Sequence, residues 1–540
     1  MAELIPVTVS SMPKRKQSAR SNEDEPNLYA PTFTSGMIAD YFKYLYGDYF
    51  VCVNEKLYSF NGVYWEEEDK KYSNLVKFFD KTFYADLIEY ANRKLETFTS
   101  LLPNDEDPER LKNNIAKVNE FLTHVNTLRK NHVRKSYIEE IVIWLTNNSI
   151  KFNSNIYLFA FKNKVFDLKI GDFVEPRPEF YMTQTANYDY MESSPEAIQE
   201  LDRFIDSIFP NPEVKEDYLT ILATGLSGIH IENCIVATGS GRNGKGVINS
   251  LMMKTVGDYG YVMPSHALLY EIKDGPNPEM ANLHNKRFVL STEPEKGRKI
   301  NCSAMKKLTG DDTLPVRGLY SSNTETYLKG TMVIEANQKP LLDEVNPAVT
   351  MRIRIDVFES TFYTLAEYEE LDPEAQKIAV LGDPYYKTEA FQIKNRCVLF
   401  DLLRPYFAAF QENMYRLKPM PKVCALECRD YLAVSDDIYS WFTEYFERTE
   451  TIEESEAILL TEVYDMFKGS SYFLNMNKAD KRKFNRKYFC EEVEKNMFLR
   501  KCVKPKGTYH NKVQIKGDYL LGWKRIDSLC LLAQTIEEMN

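Results

Sequence analysis

The chain has 540 residues, 44% of them hydrophobic and 27% charged, with a formal net charge of −11. That length exceeds one hydrophobic core, and the composition is that of an ordinary multidomain globular protein rather than a disordered or fibrous one. No window approaches the roughly 18 apolar residues that span a bilayer, and the N-terminus lacks the apolar block of a secretory signal, so a soluble intracellular chain without membrane contact is expected.

Residues 1–28 are polar and carry Pro6, Pro13 and Pro26, which predicts a disordered tail. Lys14-Arg15-Lys16 within it reads as a solvated charge run rather than an import signal. Residues 29–200 predict a mostly helical N-terminal domain. Asn61-Gly62 marks a hairpin between two aromatic-rich runs, residues 73–150 carry helical spacing, and 157–180 reads as short strands turning near Asn163 and Gly171. From 201 to 365 short apolar runs alternate with helical segments, the pattern of a mainly parallel sheet in an α/β core. Residues 366–455 return to helix. Cys424 and Cys428 lie there, four apart as some zinc ligands are, but no histidine is close, so they read as buried thiols. The nine cysteines, an odd number at irregular spacing, do not form a disulfide framework.

Residues 456–540 read as helix, helix and hairpin, a winged-helix-like module. Between 461 and 525 there are 16 Lys plus Arg against 7 Asp plus Glu, so a basic module sits on an acidic body. Local potential governs DNA binding more than total charge does. Lys481, Arg482, Lys483, Arg486 and Lys487 are the candidate DNA contacts there.

The chemistry centres on "ATGSGRNGKGVINS". Gly239, Ser240, Gly241, Arg242, Asn243, Gly244 and Lys245 fit G-x-x-x-x-G-K, with an apolar strand before and a helix, opening at Gly246 and Val247, after. Glycines let backbone N–H groups turn toward phosphate oxygens, a lysine neutralises the β- and γ-phosphates, and the helix N-terminus adds positive partial charge. Gly246 stands where a hydroxyl residue usually helps hold Mg²⁺. Water, Asn249 or Ser250 would have to fill that place. "RFVLSTEPE" brings Glu293 and Glu295 to a strand's C-terminal end as candidate metal-side and water-polarising carboxylates. "GTMVIEANQKP" ends in Asn337, suited to positioning the attacking water. "AVTMRIRIDVF" offers Arg352 and Arg354, one of which could stabilise charge on the transferring phosphoryl group. On a strand, alternation would send the two to opposite faces.

"GSGRNGKG", "RFVLSTEPE", "KKLTGDDTLPVRGLY", "MVIEANQKP" and "RIRIDVF", in this order, resemble the superfamily 3 helicases of the AAA+ class. The resemblance is nearest to the primase-helicase type of poxviruses, other large DNA viruses, phages and plasmids. "YWEEED" and "FAFKNKVFDLKIGDF" are similar to that family's N-terminal extension. The resemblance implies a hexameric ring that hydrolyses ATP with Mg²⁺ and translocates on single-stranded DNA at forks, in virus-infected cells if the chain is viral. It also implies a DNA-contacting hairpin at about 313–332, with Ser321-Ser322-Asn323 near its turn and Arg317 and Lys329 as backbone contacts. The chain departs from the family at Gly246, at the hairpin tip and at the split arginine pair. It holds no carboxylate set typical of a primase domain, which would place priming on a partner primase or polymerase chain or on another segment. A non-helicase DNA motor or loader, and a ring-forming scaffold with weak catalysis, are the alternative readings.

Overall fold

The computed structural model describes residues 25–29, 34–103, 105–272, 275–292, 298–310, 314–317, 324–326, 328–476 and 478–526. It divides into two compact units, residues 1–192 with 256–259, and residues 193–255 with 260–540.

In the first unit an aromatic core holds helices Ser35–Tyr46, Tyr84–Leu101, Pro108–Val125 and Asn131–Trp144 together. Phe42 and Phe83 meet edge to face with centroids 4.9 Å apart. Pro108 opens its helix at a position that needs no N–H, and the Asp107 side chain accepts from the Arg110 N–H. Two antiparallel three-stranded sheets accompany the helices, one of Phe50–Val53, Lys56–Phe60 and Trp65–Glu67, the other of Leu158–Ala160, Val165–Asp167 and Asp172–Val174. The Asn61-Gly62 hairpin forms, with Gly62 at φ +104° and the Asn61 side chain accepting from Val63 and Tyr64. Most of the polar tail lies outside the described residues. Its last part is not loose: Leu28 is buried, its N–H donates to the Tyr90 hydroxyl at 3.1 Å, and Glu25 pairs with Arg93 and Lys94.

The second unit begins with α1 (Pro195–Ile208) and α2 (Pro212–Thr224), each with a proline in its first turn and a side-chain cap, from Ser194 and Asn211. There follow β1 (Cys234–Thr238), α3 (Lys245–Val256), β2 (Gly260–Met263), β3 (Phe288–Ser291), β4 (Thr331–Ala336), α4 (Pro347–Arg352) and β5 (Ile353–Val357). The strands form one five-stranded sheet in the order β5-β1-β4-β3-β2, every neighbouring pair parallel. β1 is buried along its whole length, which explains its unbroken apolar run. The order reverses around β1, where an open parallel sheet leaves a crevice beyond its strands' C-terminal ends. Helices α5 (Glu389–Glu412) and α6 (Lys422–Ser435) follow, with Cys424 and Cys428 buried on α6. Among the described residues no group of three potential metal ligands occurs.

A hairpin does precede β4: Leu314–Arg317 pairs antiparallel with Thr324–Thr326. The turn carrying Ser321-Ser322-Asn323, and the side chain of Arg317, lie outside the described residues. In the C-terminal part, Phe446–Arg448 pairs with Trp523–Arg525, and helices Leu460–Gly469 and Arg486–Lys495 pack with them on Trp441, Phe467, Phe489 and Trp523. Two short helices, Ser471–Asn475 and Lys478–Lys483, lie between those two helices, and a hairpin of Tyr509–His510 with Val513–Gln514 follows. No helix among the described residues is long and apolar enough to cross a membrane.

Candidate nucleotide-binding site

β1 ends at Thr238 and the glycine loop begins at once. A Cβ on Gly239 would lie 2.2 Å from Asn243 Nδ2 and 2.5 Å from the Phe358 carbonyl, so only glycine fits. Gly241, Arg242 and Gly244 all have positive φ, at 88°, 49° and 80°. Such left-handed residues interleaved with right-handed ones turn successive N–H groups toward one concavity, which suits an anion. Lys245 then starts α3.

Ala336 pairs with Thr238, so Asn337 stands level with the start of the loop. Lys245 is 6% exposed, and its Nζ donates to the Ala336 carbonyl at 2.8 Å and to Asn337 Oδ1 at 3.1 Å. Arg242 through Val247, Ser250, Thr292, Glu335, Ala336, Asn337, Lys387 and Gln392 line a cleft of about 520 Å³. The loop, the start of α3 and the end of β4 thus meet in one cleft. Arg242 points elsewhere. It donates to both oxygens of Glu367 at 2.6 and 2.7 Å, and Glu367 also closes a capping box with Thr364. Hydrogen bonds from Arg242, then from Thr364, hold the Glu367 carboxyl down to about 2.

Several expectations change. Asn249 is fully buried, accepts from the Tyr218 hydroxyl at 2.7 Å and donates to Glu335 Oε1 at 2.7 Å, so it is not free to replace a loop hydroxyl on the metal. Ser250 does line the cleft. Glu293 and Glu295 lie outside the described residues; β3 delivers the chain to Thr292, on the cleft wall. Arg352 is not on the last strand but ends α4, where its Nη1 donates to the Ala348 carbonyl at 3.1 Å and its buried Nε has no partner among the described residues. The two arginines therefore do not alternate across one strand. Arg354, on β5, donates to Asp217 at 2.5 Å and to the Lys418 carbonyl at 2.9 Å, a buried commitment within its own chain that does not leave it free to reach a neighbour.

Glu335 was not among the sequence candidates. Its signal was there: residues two apart on a strand share a face, and Glu335 precedes Asn337 by two. Lys387 and Gln392 come from a region far along the chain and leave no local pattern.

Among the candidate DNA contacts, Lys329 is half-buried near His284, whose pKa burial and then the lysine's charge lower. Lys481 donates to the Leu474 carbonyl, Arg482 is exposed, and Arg486 and Lys487 are exposed in the first turn of their helix. The side chain of Lys483 lies outside the described residues. Lys504, Lys506, Lys512 and Lys516 are exposed along the final hairpin region, with Tyr509 beside them 69% exposed.

Residues 39–210 match the family described as "D5 N terminal like". Over 322 residues the chain is 29% identical to "Putative helicase L207/L206" of Acanthamoeba polyphaga mimivirus, covering 57% of this chain and 32% of that one. It is 31% identical over 216 residues to "Primase D5" of fowlpox virus, covering 37% and 27%. The chain is thus similar to proteins named as helicase and primase in large DNA viruses. Another relative, 26% identical over 381 residues, is "Uncoating factor OPG117" of vaccinia virus, covering 62% of this chain and 47% of that one. The chain spans less than half the length of each of these curated relatives. The apo C-terminal region of NrS-1 covers 68% of this chain and 85% of its own at 14% identity, with a TM-score of 0.35, too low to transfer anything between the two.

Proposed function

We propose that this chain is an ATP-dependent DNA helicase of superfamily 3 type, with an AAA+ core that works as a hexameric ring on single-stranded and forked DNA during viral replication. The observation that carries this reading is the meeting of Lys245 and Asn337 at the mouth of a phosphate-shaped loop, beyond the C-terminal ends of parallel strands. Similarity to proteins named as helicase and primase supports it.

In this reading the N–H groups of residues 239–246 hold the phosphates, and Lys245 exchanges its present acceptors for β- and γ-phosphate oxygens. The cleft offers oxygen donors from Glu335, Ser250 and Thr292, a hard-donor set that fits Mg²⁺, with Glu293 and Glu295 next in sequence after Thr292. When bound, magnesium neutralises charge on the phosphate oxygens. Asn337 positions the attacking water, one of Glu293 and Glu295 accepts its proton, and Arg352 reaches the site of a neighbouring subunit. The hairpin before β4 and the basic C-terminal part contact the DNA backbone.

Forked-duplex unwinding tests this. Wild-type protein with ATP and Mg²⁺ should separate the strands, and Lys245→Ala should not. Hydrolysis without strand separation would point to a different DNA motor, and nucleotide binding without hydrolysis to a scaffold.

A further inference from the structure

The loop lysine is followed by Gly246, so the helix has no hydroxyl to offer a metal ion at the usual place. A Cβ built on Gly246 meets nothing within 4 Å among the described residues, which leaves room for a side chain beside Lys245. Across it, on β4, stands a carboxylate. Glu335 lines the same cleft as Lys245, Gly246 and Asn337.

Glu335 is held by a chain of two hydrogen bonds from the interior. The Tyr218 hydroxyl donates to Asn249 Oδ1 at 2.7 Å, which fixes the orientation of the amide. The amide nitrogen then donates to Glu335 Oε1 at 2.7 Å. Tyr218 and Asn249 are both fully buried. Burial, with the charges of Glu335 and Asp356, keeps the Tyr218 phenol protonated and therefore a donor. The order of donors allows one arrangement only, and it engages one carboxylate oxygen. The second has no hydrogen-bond partner among the described residues.

We infer that Glu335 supplies the metal-side oxygen that Gly246 does not, holding the magnesium ion that accompanies the nucleotide, with Asn249 and Tyr218 as positioning residues. This rests on the nucleotide-site reading above. A hard cation suits a carboxylate oxygen, and Mg²⁺ keeps several waters, so one protein oxygen, engaged directly or through water, replaces one hydroxyl. Buried partners that orient a ligating carboxylate are the usual support for such a site.

The test uses the full-length chain, ADP bearing a fluorescent ribose label, and Mn²⁺ as a paramagnetic substitute for Mg²⁺. ADP affinity is titrated in EDTA, and Mn²⁺ affinity is read by electron paramagnetic resonance with ADP bound. Glu335→Gln keeps an oxygen to accept from Asn249 and removes the charge. It should weaken Mn²⁺ binding at least about tenfold while ADP affinity in EDTA stays within about twofold. Adding Gly246→Ser to that variant, where the side chain has room, should recover most of the loss. Mn²⁺ affinity within about twofold of wild type in Glu335→Gln would overturn the inference. An equal loss of ADP affinity in EDTA, unrelieved by Gly246→Ser, would also overturn it, since Glu335 would then only support the loop. A wild-type chain that binds no ADP would instead sink the nucleotide-site reading itself.

Discussion

Lys245 and Asn337 are bonded to each other, Nζ to Oδ1 across 3.1 Å, and the same ammonium donates to the Ala336 carbonyl at 2.8 Å. Phosphate binding at the loop must draw the lysine away from neutral acceptors. A charged acceptor forms a bond about twice as strong. Asn337→Asp should therefore weaken binding of a fluorescent ATP analogue by about tenfold, whereas Asn337→Ala should leave binding within about threefold and lower hydrolysis. Equal affinities in wild type and Asn337→Asp would show that this contact does not compete with phosphate.

The two arginines near the last strand should behave oppositely. Arg354→Ala leaves Asp217 buried without its cation and should cost about 3–5 kcal/mol in chemical denaturation. Arg352→Ala removes one hydrogen bond to a carbonyl and should cost about 1 kcal/mol. If Arg352 acts in trans, its loss should lower ATP hydrolysis about 10³-fold with ATP binding intact. Mixing Arg352→Ala with Lys245→Ala subunits should restore part of the activity. No recovery in rings shown to be mixed would place the finger in cis or require the whole ring to fire together.

Asp356 gives a pH dependence. Burial, and then the charge of Asp217, push its carboxyl well above the usual range against the pull of Arg354. The folded chain thus keeps a proton that the unfolded chain releases above about pH 4, and stability falls as pH rises from there toward the folded value. Asp356→Asn removes that loss. Its stability relative to wild type, from urea midpoints, should improve steadily from pH 5 to pH 8. A constant or shrinking difference would mean Asp356 is ionised in the fold.

The basic C-terminal part should supply affinity for DNA without regard to sequence. Deleting residues 461–540 is a poor test, because Trp441 and Phe442 pack on Phe467 and Trp523 and would lose their cover. Replacing Lys504, Lys506, Lys512 and Lys516 by Ala leaves that core intact. Fork affinity should fall, and the slope of log affinity against log salt should flatten by up to about 0.9 per lost phosphate contact. An unchanged slope would remove the hairpin from the DNA-binding surface.

The glycine loop was legible in the sequence because its backbone demands are local: strand, left-handed turns, helix, all within residues 234–256. Asn337 was legible for the same reason, as the end of an apolar run. The roles of Arg352 and Arg354 were not, because a six-residue helix, Pro347–Arg352, ends one residue before the strand and breaks the alternation on which the reading depended. Asn249 looked like a free polar residue near the loop. Its partners lie 31 and 86 positions away, and no local pattern announces them. Glu335 was hidden by its place inside an apolar strand, where a carboxylate is easily passed over. The winding of the first unit around aromatic pairs such as Phe42 and Phe83 depends on contacts between distant segments and was not readable as more than a helical region.

The nucleotide site stands or falls on steady-state ATP hydrolysis by the wild-type chain and by Lys245→Ala, with Mg²⁺ and single-stranded DNA present. Mg²⁺-dependent turnover by the wild type should fall at least about 10²-fold in Lys245→Ala, the size of a single electrostatic contribution in such a site. Turnover by Lys245→Ala near the wild-type rate would contradict the nucleotide-site reading.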